Sequence, residues 1–516
     1  MKTQDSQKRA SLLLYLLITT AILLSFACSR SDEESPVSKT ESPAPATTAP
    51  VEIPVTTTSG TARALYAEGE YFVDVGRVLQ AREKFQASAT ADPTFALAYY
   101  GLSNAAISYT GYQNSLDTAL EYTEGISDGE RLLIEINRSF LSNDAADGLA
   151  LARELVDKYP TSARARIILA GMQADQKDNK AARASYQKAL ELEANVAGAL
   201  AGLARNNLFS EPKDFAAAES WANQLIAAYP EEARAYDLLG DIKRAQNDLE
   251  AALEAYILVS QLDPTFEIGA LKQGHINSFL GNIEEARSNY DEAIALASPE
   301  GKAGSALSKG LTNIFGGDIP AAIDEFEALA DGVESLGTPA DQVKVYQVFA
   351  LNNAALAAMY AGLFERAESI VLRRNAVAMA IAEDVGTDDR RRLQTADCRF
   401  YDGLLAAFKG DTEAAAENAE AIALLVEGDE DPRKLEGAHW ILGKSALQAG
   451  DFAMAVEQLR QADYSRDILI RYHLALAEQG HGNVEEARKL FNDVAIFNMS
   501  TIGFALVGKE AAARVN

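Results

Sequence analysis

Cysteine and histidine are almost missing from this chain. Cys28 and Cys398 are the only two cysteines in 516 residues. They allow one disulfide at most, so no disulfide framework holds the fold and stability must come from packing. The four histidines are His275, His439, His473 and His481. His473 and His481 stand eight apart, which lacks the i, i+4 spacing of a helical metal pair. No C-x-x-C pair, phosphate-binding loop, dinucleotide glycine fingerprint or zinc-protease helix motif is written anywhere. Carboxylates are too plentiful to single out a catalytic pair. The expectation is a chain without catalysis, cofactor or metal. Basic charge is also in deficit. Lys and Arg total 47 against 75 Asp and Glu, a net charge of −28, and such a surface repels phosphate backbones. Nucleic acid is excluded as a partner on that ground, and the acidic surplus reads as solubility.

The N-terminus is organised for targeting. Lys2, Lys8 and Arg9 precede an apolar stretch, Ser11–Ala27, that ends in small residues. Then comes LLSFAC, with Cys28 after Ala27. This resembles the lipobox of bacterial lipoproteins, which implies lipid attachment at Cys28, cleavage before it, and residues 1–28 as a signal peptide. Phe26 departs from the pattern, where a small residue is usual, and the leucine falls one place early. A plain secretory signal or an uncleaved anchor helix are the alternatives; the 17-residue run is marginal for a span of about 20. With Cys28 lipidated, Cys398 has no disulfide partner and reads as a small apolar helix residue. Residues 29–60 are rich in Ser, Thr, Pro and Ala, have no apolar period, and read as a disordered tether. Within them SDEES (Ser31–Ser35) is similar to the acidic surface-export tags of some Bacteroidota lipoproteins, and a solvated linker explains it equally.

The rest of the chain repeats itself. GNIEEARSNYDEA (residues 281–293) returns as GNVEEARKLFNDV (residues 482–494), and 482 − 281 = 201 residues is close to six periods of about 34. The interval carries the same marks. In LEAALEAYILVSQLDP, Ala252, Tyr256, Val259 and Pro264 follow Tyr236, Leu239 and Gly240 upstream. Apolar residues at helical spacing make one face, Gly240 and Ala252 allow close approach, Tyr256 fills the gap between neighbours, and Pro264 stops the helix. Ala81, Phe85 and Pro93; Ala182, Tyr186 and Ala189; Ala286, Tyr290 and Ala293; Ala322 and Phe326; and Ala487, Phe491 and Val494 repeat the phrase.

This pattern resembles the tetratricopeptide repeat. The resemblance implies an all-α fold, a right-handed superhelical solenoid of about twelve antiparallel helix pairs. With the capping box of Ser127 and Glu130 and the closing GFALVGKEAAARV, the chain looks like tetratricopeptide lipoproteins of bacterial envelopes. The period breaks at Asp331–Gln342, which suggests one array over 61–331 and another over 343–516, with Thr501–Asn516 as a capping helix. A second break, Glu383–Gln394, reads as a solvated loop holding Arg390–Arg392.

In this family certain first-helix positions face the concave surface. In register these are His275 and Phe279; Leu307, Leu311 and Phe315; Leu356 and Tyr360; Phe400, Leu404 and Phe408; and Trp440. The resemblance makes them a groove for an apolar peptide or helix, with tight winding that buries them as core as the alternative. The N-terminal counterparts Asp237, Asp241 and Arg244 are polar, and they do not match the carboxylate clamp of chaperone-binding members. The expected function is a lipid-anchored scaffold at the cell envelope, at the outer membrane on its periplasmic or surface side, binding a protein or peptide. An envelope assembly subunit that docks through its convex face is the second reading, and an enzyme acting on envelope polymers the third.

Overall fold

The computed structural model describes residues 52–106, 108–142 and 145–515. Cys28, the signal-type segment and most of the tether lie outside them. Among the described residues there are 25 α-helices and no strand. The chain divides into two compact units at Ile242/Lys243. The first carries α1 (Gly60–Asp74), α2 (Val78–Ala91), α3 (Ala96–Asn104), α4 (Tyr109–Glu121), α5 (Asp128–Ser142), α6 (Ala145–Lys158), α7 (Ala163–Asp175), α8 (Asn179–Leu192), α9 (Ala197–Phe209) and α10 (Phe215–Ala228). The division falls within α11 (Ala233–Ala245). The second carries α12 (Leu249–Leu262), α13 (Glu267–Leu280), α14 (Ile283–Leu296), α15 (Pro299–Phe315), α16 (Ile319–Gly332), α17 (Ala340–Tyr360), α18 (Phe364–Val385), α19 (Asp388–Lys409), α20 (Thr412–Leu425), α21 (Glu436–Ala449), α22 (Phe452–Gln461), α23 (Ile468–His481), α24 (Val484–Ala495) and α25 (Ile502–Val515).

The repeated phrase makes the same turn twice. Gly281 and Gly482 end their helices at φ 82° and 95°, a conformation that costs glycine nothing. The next backbone N–H bonds back five residues, Asn282 to the Asn277 carbonyl and Asn483 to the Glu478 carbonyl, both at 2.8 Å. Ala286 and Ala487 are then buried at the helix contact. Elsewhere an aspartate starts the second helix. Asp178, Asp214, Asp248, Asp318, Asp411 and Asp451 each accept the backbone N–H three residues on, which satisfies one orphan donor of the new helix.

Large second-helix residues hold the layers together. Phe85, Tyr256, Tyr290, Phe326 and Phe491 are all buried. For Phe85, Tyr290 and Phe326 the fit depends on a glycine opposite: a Cβ on Gly310 would stand 2.5 Å from the Phe326 ring. Small residues at these positions are thus a steric need.

Two sequence expectations are revised. Glu383–Gln394 is not a loop. Gly386 closes α18, Thr387 caps α19, and Arg390–Arg392 lie in the first turns of a 22-residue helix. Arg391 pairs with Glu383 and Asp388, and Arg392 with Asp429. The loop reading failed because a charged, Gly-containing stretch looks alike in a loop and in a two-residue helix junction. The tether also ends earlier than Gly60. Residues 52–58 are docked: Ile53 and Val55 lie against the first core, and Thr56 donates from its N–H and its hydroxyl to Glu130, each at 2.6 Å. The stretch at 331–342 lies inside the second unit as a short 3₁₀ turn, Val333–Leu336, followed by Gly337 at φ 79°.

Candidate functional site

The apolar series singled out from the sequence gathers on the inner side of the second unit, and it does not form an open trough. Leu311, Leu356, Leu404, Phe408 and Trp440 are buried in one continuous core, and Leu307, Phe315, Tyr360 and Phe400 pack against it. His275 and Phe279 are half-buried, and the His275 ring lies 5.8 Å from Tyr290. Tyr360 meets Phe408 at 5.0 Å, and Phe400 meets Trp440 at 5.3 Å.

The chain itself covers much of this face. Phe504 of α25 touches Phe279 at 5.4 Å and Phe315 at 6.1 Å, both edge-on. Such aromatic contacts add to the burial of the rings themselves. Helix α25 packs on α24 and also reaches α15, α17 and α23. A Cβ at Gly503 would stand 2.4 Å from Ile468, so that glycine sets how deeply the helix sits. The segment before it is tied down by Arg244, whose guanidinium donates to the Asn498 carbonyl at 2.9 Å, and by a hydrogen bond that the Asn498 side-chain amide donates to Asn247 Oδ1 at 2.7 Å. Sequence reasoning assigned α25 to an end cap; it also fills the inside. Only the apolar Gly-Phe-Ala face hinted at this.

The inner side of the first unit is built differently. Arg164 of α7 donates to Glu70 at 2.8 Å and to Asp74 at 2.6 Å, both on α1. Two cavities remain in this unit. One, of about 360 Å³, is lined by Asp74, Ile167, Tyr186, Gly202, Arg205 and Phe209 among others. The other, of about 380 Å³, lies between Tyr71, Arg77, Tyr229 and Glu232. Arg205 is exposed at the first cavity and makes no ion pair among the described residues, and Phe209 beside it is also exposed. Asp237 and Asp241 are half-buried. Neither Arg205 nor the Glu130 contact was legible in the sequence, because each matters only through residues distant in the chain.

Among the described residues no three His, Cys, Asp or Glu side chains form a metal-holding group. No described helix is long and apolar enough to cross a membrane. Cys398 is buried, and burial pushes its thiol up to about 11.

Residues 142–198 and 213–265 match a family described as tetratricopeptide repeat, and residues 271–299 match a second family of the same description. No curated protein matches the chain. Among solved structures, the anaphase-promoting complex hetero-tetramer Cut9–Hcn1 is similar at 15% identity and TM-score 0.37, over 89% of this chain and 78% of that one. A tetratricopeptide repeat protein from Parabacteroides merdae is similar at 13% identity and TM-score 0.32, over 56% and 99%. YrrB, described as having an unusual peptide-binding site, is similar at 18% identity and TM-score 0.29, over 36% and 92%. Residues 142–198, 213–265 and 271–299 thus carry tetratricopeptide repeats, and helices continue on both sides of them.

Proposed function

We propose that the chain is a non-catalytic interaction scaffold, tethered through a lipid on Cys28 in a bacterial cell envelope, and that it holds a segment of a partner protein against the inner face of its first unit. Repeats of this family commonly serve protein binding. The observation that carries the reading is a difference in vacancy: the first unit keeps a cavity beside Arg205, which makes no ion pair among the described residues, while the second has its own α25 inside. An exposed guanidinium next to an exposed phenylalanine suits a segment that offers a carboxylate beside an apolar side chain. The test is quantitative capture from envelope extracts with the soluble fragment 52–516, which retains the docked residues. Arg205→Glu should lose the specific partner, with stability changed by less than about 0.5 kcal/mol, as surface changes usually do. Undiminished capture would remove the first cavity from consideration. Separately, palmitate labelling should be lost in Cys28→Ser, and label retained in that variant would refute the lipid assignment.

A further inference from the structure

The first unit gathers guanidinium groups at one turn. Gly76 leads from α1 into α2 at φ 84°, and a Cβ there would stand 3.5 Å from Arg205 Nη2 and 3.8 Å from Arg234 Cδ. Arg77 follows it and donates from Nε to Glu232 at 2.9 Å. The two cavities flank this turn: Val73 and Asp74 line one, Tyr71 and Arg77 the other. Of the carboxylates on their walls, Asp74 is held by Arg164 at 2.6 Å and Glu232 by Arg77, and Glu231 is exposed. Arg205 adds an exposed charge with no ion pair among the described residues. In a chain of net charge −28, such a place attracts an acidic segment that the acidic surface elsewhere repels.

The described residues begin beside the same place. Glu52 accepts from the Ser162 hydroxyl at 3.0 Å. Ser162 caps α7, and two residues on, Arg164 holds Asp74 at the cavity wall. Residues 29–51 precede Glu52 and include SDEESPV (Ser31–Val37), three carboxylates followed by a proline and a valine. Glu34 and Glu52 are 52 − 34 = 18 residues apart. At about 3.1 Å per residue that stretch spans up to about 56 Å. Helix α7, which contributes Ile167 and Ala174 to the first cavity, is 13 residues long, or about 20 Å. The acidic run therefore reaches the cavity with length to spare.

We propose that Ser31–Val37 of the same chain occupies the first cavity, with its carboxylates on Arg205 and Arg77 and Val37 against Phe209, and that a partner segment binds by displacing it. The inference rests on the reading of this cavity as the partner site. Guanidinium–carboxylate bonds are charge-assisted, and a linker that spans the distance presents its segment at about millimolar effective concentration. A contact that is weak between separate molecules is then enough to fill the cavity, and it stays displaceable.

The test uses the full-length chain and a neutralised version of it that combines Asp32→Asn, Glu33→Gln and Glu34→Gln. Phenylglyoxal modification of Arg205 is followed by peptide mass spectrometry. With the acidic run at an effective concentration of about twice its Kd, about one cavity in three is free, so Arg205 should react about threefold faster in the neutralised chain. An unchanged rate overturns the proposal. A photoreactive benzoylphenylalanine in place of Val37 should cross-link to Phe209 or Ile167 of its own chain. Cross-links that join two chains, or that fall outside the cavity, refute the assignment. Partner capture separates this inference from the reading beneath it. Capture lost in Arg205→Glu but equal in the natural and neutralised chains upholds the cavity as partner site and refutes the acidic run as its occupant. Cross-linking into the cavity with capture indifferent to Arg205→Glu upholds the occupant and refutes the cavity as partner site.

Discussion

The two inner faces of this chain are made from the same repeat and end in opposite states. In the first unit Arg164, Glu70 and Asp74 line the inside, and cavities of about 360 and 380 Å³ remain. In the second unit Leu311, Leu404, Phe408 and Trp440 occupy the inside, and α25 lies among the same layers. The difference teaches that first-helix composition decides whether a repeat surface stays wet. Ion-paired and polar side chains tolerate water, so nothing drives closure. An apolar face costs about 25 cal/mol for each Å² left in water, so it either winds up tightly or takes a cover. Here it does both.

The most forceful way to break the comparison is to remove the cover. Truncation after Ser500 should strip Phe504, Val507 and Ala511 from the second core and expose Phe279 and Phe315. The second unit should bind a hydrophobic dye and lose its cooperative melting, while protease resistance of the first unit persists, because repeats depend chiefly on their neighbours. A truncated chain that melts like the full one would mean that the inner apolar face needs no cover.

Phe408→Glu tests the same core with one residue. It replaces a buried ring that touches Tyr360 and His473 with a carboxylate. We expect a loss of about 4 kcal/mol or more in chemical denaturation, the range reserved for buried unpaired groups. The proximity of Lys444 is a specific counter-prediction: a much smaller loss would show that the two had formed an ion pair.

Lys444 sharpens the contrast through pH. Burial lowers its ammonium from 10.5 to about 8 in the folded chain. Between those values the unfolded chain binds the proton that the folded one has released, so stability rises with pH across this window. The wild-type chain should gain about 3 kcal/mol relative to Lys444→Met between pH 8 and pH 10.5. A flat difference would place the ammonium in water.

The smallest effect belongs to the first unit. Glu130 is fully buried and accepts from Ser127 N at 2.8 Å as well as twice from Thr56. Glu130→Gln weakens charge-assisted bonds without emptying the site, so about 2 kcal/mol should be lost. Hydrogen exchange at residues 53–57 should quicken, with the rest of the unit unchanged. Slow exchange at Thr56 in the variant would show that Ile53 and Val55 alone hold the segment.

The capping box itself was legible. Ser127 and Glu130 have the spacing that lets each side chain reach the other's backbone N–H, and both bonds form. That Glu130 also receives Thr56 was not legible, since the two are 74 residues apart. The same division runs through the candidate site. The series from His275 to Trp440 was found on one helix face by register. Its burial could not be read from register, because an apolar position looks alike whether it awaits a partner or already faces its own core.

The sequence by itself determined the helix pairs, their turns and their close contacts. These depend on short-range rules: an aspartate three residues before an N–H, a glycine able to take positive φ, an alanine or glycine facing a ring. The tertiary structure alone decided which inner face is filled and by what. Phe504 meets Phe315 across 504 − 315 = 189 residues. A hydrophobic face specifies only that it must be covered, and the covering segment is selected by shape and reach in the folded chain.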